Sequence, residues 1–329
     1  MPSLRPLVLL LIVGAAHADP TPDQRVAAAR LTAEKAANCV AVQPFYWEVG
    51  NGRVPLAGGS VGPAGAEAPQ RNTPMAIASA SKWVYAAFVA ERRQGLPSAM
   101  DWSFMNFRSG YTNFLICGPN QSVAACQSSP LNGRGQQNPA TVGKFDYSGG
   151  HMQEHAVLMG LGQLGPDGLA LALHQTLSPV IGAGWRFDYT QAQPAGGGRT
   201  TAGDYARLLQ AMVSGQLQIS KLLGEHKVCT NPTVCPSEAI KTPVPLDEAW
   251  SYSFGHWVED DPQHGDGAFS SAGAFGFYPW ISADKRFYGV LAREQRSPNP
   301  DDTALHPGAA SAYCGRLIRA AWMDGQPRP

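Results

Sequence analysis

Six cysteines constrain this chain more than any other feature of its sequence. They are Cys39, Cys117, Cys126, Cys229, Cys235 and Cys314. An even number in an exported chain favours disulfides, although six cysteines allow 15 connectivities. Two pairings are local, Cys117 with Cys126 and Cys229 with Cys235, and each closes a polar loop. Cys39 and Cys314 then remain, and joining them brings the two ends of the chain together. Zinc is the competing use of the cysteines, but neither local pair has C-x-x-C spacing.

The compartment follows from the first residues. Arg5, the apolar run Leu7 to Val13 and the small-residue site Ala16-His17-Ala18 have the order of a signal peptide cleaved after Ala18. The apolar run is too short for a stable span, and no later stretch is long and apolar enough. The expected product, residues 19–329, is periplasmic or secreted, with no membrane span. Lys and Arg balance Asp and Glu to a net charge of zero, without a basic block, so no nucleic-acid partner is expected.

Periodicity sets the layout. Thr21 to Asn38 reads as a helix, Cys39 to Val49 as a strand, and Arg53 to Val61 as its return strand after Gly50-Asn51-Gly52. Helical patterns cover the middle: Ser79 to Gly95, His151 to Leu161, Asp167 to Leu177, and a Thr201-capped run ending at Gly215. Asp101 to Thr141 is irregular. Trp250 to Glu259, Ala268 to Ile281 and Arg286 to Arg293 are aromatic-rich strands, and Pro307 to Met323 is a closing helix. Strands at both ends around a helical middle predict an α/β fold. Its antiparallel sheet is built from both chain ends (about 19–70 and 250–329), flanked by the terminal helices, with a mostly helical part inserted at about 75–245.

Ser79-Ala80-Ser81-Lys82 carries the strongest chemical signal. Ser79 and Lys82, three apart on a helix, share a face. A buried Lys with a lowered pKa can take a Ser proton, and the free N–H groups of a helix start favour developing negative charge. The second copy of the spacing, Ser282 to Lys285, lies between two strands and reads as a hairpin turn. Gly160-Leu161-Gly162-Gln163-Leu164-Gly165 matches a dinucleotide fingerprint but follows a helix, so no cofactor is expected. His151-Met152-Gln153-Glu154-His155 matches the inverted zinc-protease pattern. His151 and His155 would share a helix face, but nothing marks the third ligand such a site needs, with Glu225 or Glu238 the available acids.

Ser79-x-x-Lys82, then Tyr147-Ser148-Gly149, then Ser271-Ala272-Gly273 resembles, in order and spacing, the serine β-lactamase and penicillin-binding-protein superfamily. The class C β-lactamase branch, with its esterase and 6-aminohexanoate-dimer hydrolase relatives, is the most similar. Pro194 to Gly215 (PAGGGRTTAGDYARLLQAMVSG), FGHWVE and GFYPWISADKRFYGVLARE resemble further segments of that branch, so the likeness spans roughly Cys39 to Met323. The resemblance implies the β-lactamase-like fold and an acyl-enzyme on Ser79, with Lys82 and Tyr147 sharing the proton transfers. The oxyanion would be held by the N–H groups of Ser79 and Ala274, and Ser271, Gly273 and Gly149 would stand at the substrate. The family's second motif usually ends in Asn, here Gly149, and its third usually begins with Lys or His, here Ser271. The cation that holds a β-lactam or peptide carboxylate is thus missing, which favours a small-molecule or peptide-like ester or amide with an uncharged acyl end. The alternatives are a binding or cell-envelope protein on the same fold, and the zinc hydrolase.

Overall fold

The computed structural model describes residues 19–296 and 306–329; the signal-peptide reading falls on residues outside these. An eight-stranded antiparallel sheet forms the base. Its order is Pro55–Val61, Phe45–Asn51, Phe287–Ala292, Tyr278–Ile281, Ala268–Ser270, His256–Glu259, Ser251–Ser253 and Val228–Cys229. The strand nearest the N-terminus therefore lies beside the last strand of the chain, with Trp47 opposite Leu291 and Val49 opposite Gly289. Helices Pro22–Lys35 and Pro307–Asp324 pack together, and the Cys39–Cys314 disulfide ties the short helix that follows the first, Ala37–Val40, to the second. Cys117–Cys126 and Cys229–Cys235 are also closed. All three pairings agree with the sequence reading, as does the sheet assembled from both ends.

The helical side contains Ser81–Arg92, Gly150–Ala156, Pro166–Ile181 and Ala202–Val213 among its longer elements. Ser81–Arg92 is the central one: every residue from Ser81 to Ala90 is buried, not one stripe as the i, i+3, i+4 pattern suggests. A helix apolar all round belongs in the middle of a core. Thr21 and Thr201 cap their helices by accepting from Gln24 and Asp204 N–H groups. Gly160–Gly165 forms the link between the helices on either side, and Ser282–Lys285 is the turn between the last two strands of the chain, both as read from the sequence.

Several boundaries differ from the sequence reading. Cys39 lies in a short helix, Ala37–Val40, and the first strand starts only at Phe45. Ala99–Met105 and Val123–Gln127 are helices inside the stretch read as irregular, capped by Ser98 and Ser122. Trp250–Glu259 is two strands joined by a turn at Phe254-Gly255, both with positive φ. The third motif is not within a strand. Ala268–Ser270 ends one residue before Ser271, and Ser271 to Phe277 forms a loop closed by Gly273 N–H donating to Phe277 O at 2.8 Å.

Candidate active site

Ser79 sits in a single tight turn, Ala78–Ala80, that precedes the central helix. Ala78 has φ of +43°, a left-handed conformation costly for a residue with a Cβ. The surroundings hold it there. Ser81 Oγ donates to Ala78 O at 2.6 Å and accepts from Gly198 N at 3.0 Å. Ile77 N donates to Gly198 O at 3.0 Å, and the buried Tyr205 hydroxyl donates to Ala80 O at 2.9 Å. Gly198 must be glycine, because a Cβ there would lie 2.5 Å from Ser81 Oγ. Ser81, Gly198 and Tyr205 position the Ser79 turn, and the sequence reading assigns none of them a role. In the sequence, Ala195 to Gly198 stands out only as part of a segment of resemblance; the physical signal there is the glycine run Gly196-Gly197-Gly198 itself.

Lys82 is buried and reaches back to Ser79: Nζ lies 2.9 Å from Ser79 Oγ and 2.8 Å from Ala195 O. Burial pushes the amine down to about 7, so a large neutral fraction exists at neutral pH. Nζ also lies 4.8 Å from the centre of the Tyr147 ring. Burial pushes the Tyr147 phenol up to about 12, against the opposing effect of the Ser79 and Trp257 side chains. Tyr147 itself stacks on Trp257, ring centres 5.3 Å apart.

Ser79, Tyr147, Gly273 and Ala274 line one cavity of about 160 Å³. Ala274 lines the cavity, and its N–H has no hydrogen-bond partner among the described residues. Two residues from the resemblance stand elsewhere. Ser271 is buried behind the cavity, where its Oγ donates to Ser79 O at 3.2 Å and fastens the third motif to the first. Gly149 is covered by Phe114 and does not line the cavity. Gly273 is glycine for a reason internal to the fold: a Cβ there would lie 2.1 Å from Ile77 O, the backbone leading into the Ser79 turn.

The two histidines of the H-x-x-E-H pattern are engaged at every ring nitrogen. His151 Nδ1 pairs with Ser109 Oγ at 2.7 Å, and its Nε2 with Asp146 O at 3.0 Å. His155 Nδ1 pairs with the Tyr85 hydroxyl at 2.9 Å, and its Nε2 with Asp101 Oδ1 at 2.9 Å. Both rings are fully buried. Among the described residues no group of three His, Cys, Asp or Glu is placed to hold a metal ion.

No protein-family model matches the chain, and no curated protein matches it by sequence. Solved structures do match it by fold. A penicillin-binding-protein homolog from Caulobacter crescentus superposes with a TM-score of 0.65 at 13% identity, over 91% of this chain and 97% of that one. D-amino acid amidase from Ochrobactrum anthropi SV3 gives 0.61 at 12% identity, over 85% and 96%. EstCE1, a hydrolase with promiscuous acyltransferase activity, gives 0.57 at 12% identity, over 88% and 99%. With the sheet order, the Ser79–Lys82 turn and the facing Tyr147, these likenesses give the chain the fold of the serine β-lactamase and penicillin-binding-protein superfamily.

Proposed function

We propose that the protein is an exported serine hydrolase, a single unit over residues 19–329, that cleaves a small ester or amide through an acyl-enzyme on Ser79. The observation that carries this reading is the 2.9 Å contact of Lys82 Nζ with Ser79 Oγ at the wall of a cavity. Neutral Lys82 accepts the Ser79 proton as Oγ attacks the carbonyl carbon. The oxyanion takes hydrogen bonds from the Ser79 and Ala274 N–H groups, a type of contact that contributes about 3 kcal/mol to lowering the barrier. Tyr147, a neutral phenol at neutral pH, donates its proton to the departing oxygen or nitrogen and recovers one from the Lys82 ammonium. Water then attacks the acyl carbon as Lys82 takes its proton, and Lys82 returns that proton to Ser79 Oγ as the acyl–oxygen bond breaks and the acid is released. Fold neighbours that include a hydrolase with promiscuous acyltransferase activity and a D-amino acid amidase support this class of reaction. The three disulfides support an oxidising, extracytoplasmic compartment.

A fluorophosphonate probe tests the reading directly. Labelling of the wild type and its loss in Ser79→Ala is the expected result. The altered second and third motifs, Gly149 and Ser271, favour one rival, a binding protein that has kept the fold without turnover. A folded wild type that fails to label would establish that rival.

A further inference from the structure

The cavity against Ser79 has a chemical character of its own. Its walls come from Pro243, Val244, Pro245, Trp250 and Trp257 on one side and from Ala309 and Ala312 of the closing helix on the other. Among the described residues that line it there is no Asp, Glu, Lys or Arg, and its one histidine, His306, accepts from Gly308 N at Nδ1 while burial lowers its pKa and favours the neutral ring. The neighbouring amine, Lys82, lies behind Ser79 and is committed to Ser79 Oγ and Ala195 O. A carboxylate seated here would give up its hydration without a counter-charge, which is costly. The volume, about 160 Å³, is close to that of an apolar cavity of ~150 Å³ that takes up benzene.

One wall is braced. Trp250 Nε1 donates to Glu248 Oε2 at 2.6 Å, and Arg316 Nη1 donates to both Glu248 oxygens at 3.0 and 2.9 Å. The Arg316 guanidinium also lies over the Trp250 ring, 5.3 Å from its centre. Glu248 and Trp250 are both buried. Trp250 meets Trp257 at a steep angle, centres 6.0 Å apart, and Trp257 carries Tyr147 on its face. A contact series thus runs from the closing helix, through Glu248 and the two indoles, to Tyr147.

We propose that this chamber selects substrates with an uncharged, ring-sized apolar group, and that Glu248 is a positioning residue that sets the fit by holding Trp250. The proposal rests on the hydrolase reading above. Glu248 touches no substrate; it fixes the plane of the indole, which otherwise could swing into the chamber or away from it.

The experiment compares four methyl esters on fluorophosphonate-reactive wild-type protein: those of acetic, phenylacetic, 4-carboxyphenylacetic and 2-naphthylacetic acid. Methyl phenylacetate is expected to exceed methyl acetate in kcat/KM by about tenfold or more, since one buried ring is worth at least that much, and to exceed the other two by a similar factor because of the unpaired charge and the excess size. Glu248→Ala is expected to raise KM for methyl phenylacetate about tenfold and to move KM more than kcat, with a several-fold smaller change for methyl acetate and probe labelling retained. Glu248→Gln, which keeps an acceptor for the indole N–H, should restore the KM. Trp250→Ala should move the preference toward the naphthyl ester. Equal rates on phenylacetate and its 4-carboxylate, or on phenylacetate and acetate, would overturn the proposal with the hydrolase intact. Glu248→Ala losing all substrates and labelling alike would overturn the positioning role. Wild type that does not label would instead remove the reading on which both rest.

Discussion

Phe114 covers Gly149: a Cβ added to Gly149 would come 2.9 Å from Phe114 Cδ1 and 3.1 Å from its Cε1. The position where relatives of this fold usually carry an amide is therefore filled by a ring from the Asp101 to Thr141 stretch. The Cys117–Cys126 loop that follows Phe114 is stitched down by Asn132, whose Oδ1 accepts from Leu115 N at 2.7 Å and whose Nδ2 donates to Cys126 O at 2.8 Å. Gly149 and the ring that covers it form one unit in space, though 35 residues separate them in sequence. Gly149→Asn alone should displace the ring and lower kcat/KM several-fold. Gly149→Asn with Phe114→Ala should recover it, because the space is then available. Steady-state kinetics on the two variants checks this, and a single variant equal to wild type would refute the coupling.

Lys82 makes stability and activity both depend on pH. Burial lowers its folded pKa to about 7, whereas the unfolded value is near ~10.4. Between these values the unfolded chain binds one more proton than the folded one, so this residue makes stability rise with pH across that window. Below 7 both states are protonated and the full cost of a buried ammonium is felt. The rate through neutral Lys82 should rise with pH to a plateau above about 7. Lys82→Met should abolish turnover and raise the stability at pH 6 by roughly 1–4 kcal/mol, as replacing buried ionic groups by apolar ones can do. Denaturant titration of the variant is the measurement; a destabilised Lys82→Met would contradict the burial argument.

Much of the fold is legible in the sequence because it depends on pattern and on local chemistry. The strands at both ends, the Thr201 cap, the Ser282–Lys285 turn and the two local cysteine pairs follow from short-range rules, and Cys39–Cys314 is the pairing these leave. The cavity wall is not legible. Trp250 reads as one more aromatic in a strand, and only folding brings it under Arg316 and beside Trp257, from 66 residues and 7 residues away in sequence. The same holds for Ser81, whose hydroxyl acquires its role only when Gly198 arrives from the far side of the helical part. The sequence suggests that Gly273 makes room for substrate; in the structure it makes room for the Ile77 carbonyl. A glycine shows that something comes close, and its sequence cannot say what.

The histidine pair should behave as structure, not as a metal site. Burial pushes His151 down to about 3, so it is neutral when folded. The unfolded chain takes up a proton near ~6.5 that the folded one refuses, and stability from this residue is lost as pH falls from there toward about 3. His155 bridges Tyr85 and Asp101, and the carboxylate is shared with Arg93. Burial works to raise the Asp101 pKa, but hydrogen bonds from His155, Arg93 and Ser98 outweigh it and hold the carboxyl well below its usual range. His155→Ala should cost about 1–3 kcal/mol, the scale for leaving buried hydrogen-bonding partners unsatisfied. EDTA should leave activity unchanged, and Glu154→Gln should turn over normally. Activity removed by EDTA and restored by zinc would overturn the serine mechanism.

The disulfides should divide between stability and fit. Cys39–Cys314 closes a span of 275 residues, and such a long crosslink restricts the unfolded chain most. Its removal should lower stability by about 2–5 kcal/mol, with KM unchanged in the folded fraction at low temperature. Cys229–Cys235 spans only 6 residues, and entropy alone makes it the weaker brace. Its loop, however, carries Asn231, whose Nδ2 donates to Leu246 O at 2.9 Å and to Glu248 O at 3.0 Å. That amide holds the backbone just after Pro243 to Pro245 and just before Trp250, the segment that walls the cavity. Replacing Cys229 and Cys235 together by Ser should therefore raise KM for a ring-bearing ester about fivefold or more, with a smaller loss of stability than the Cys39–Cys314 variant shows. Urea melts and steady-state kinetics on the two double-serine variants read both quantities. If both crosslinks changed only stability, the Asn231 loop would have no part in shaping the site.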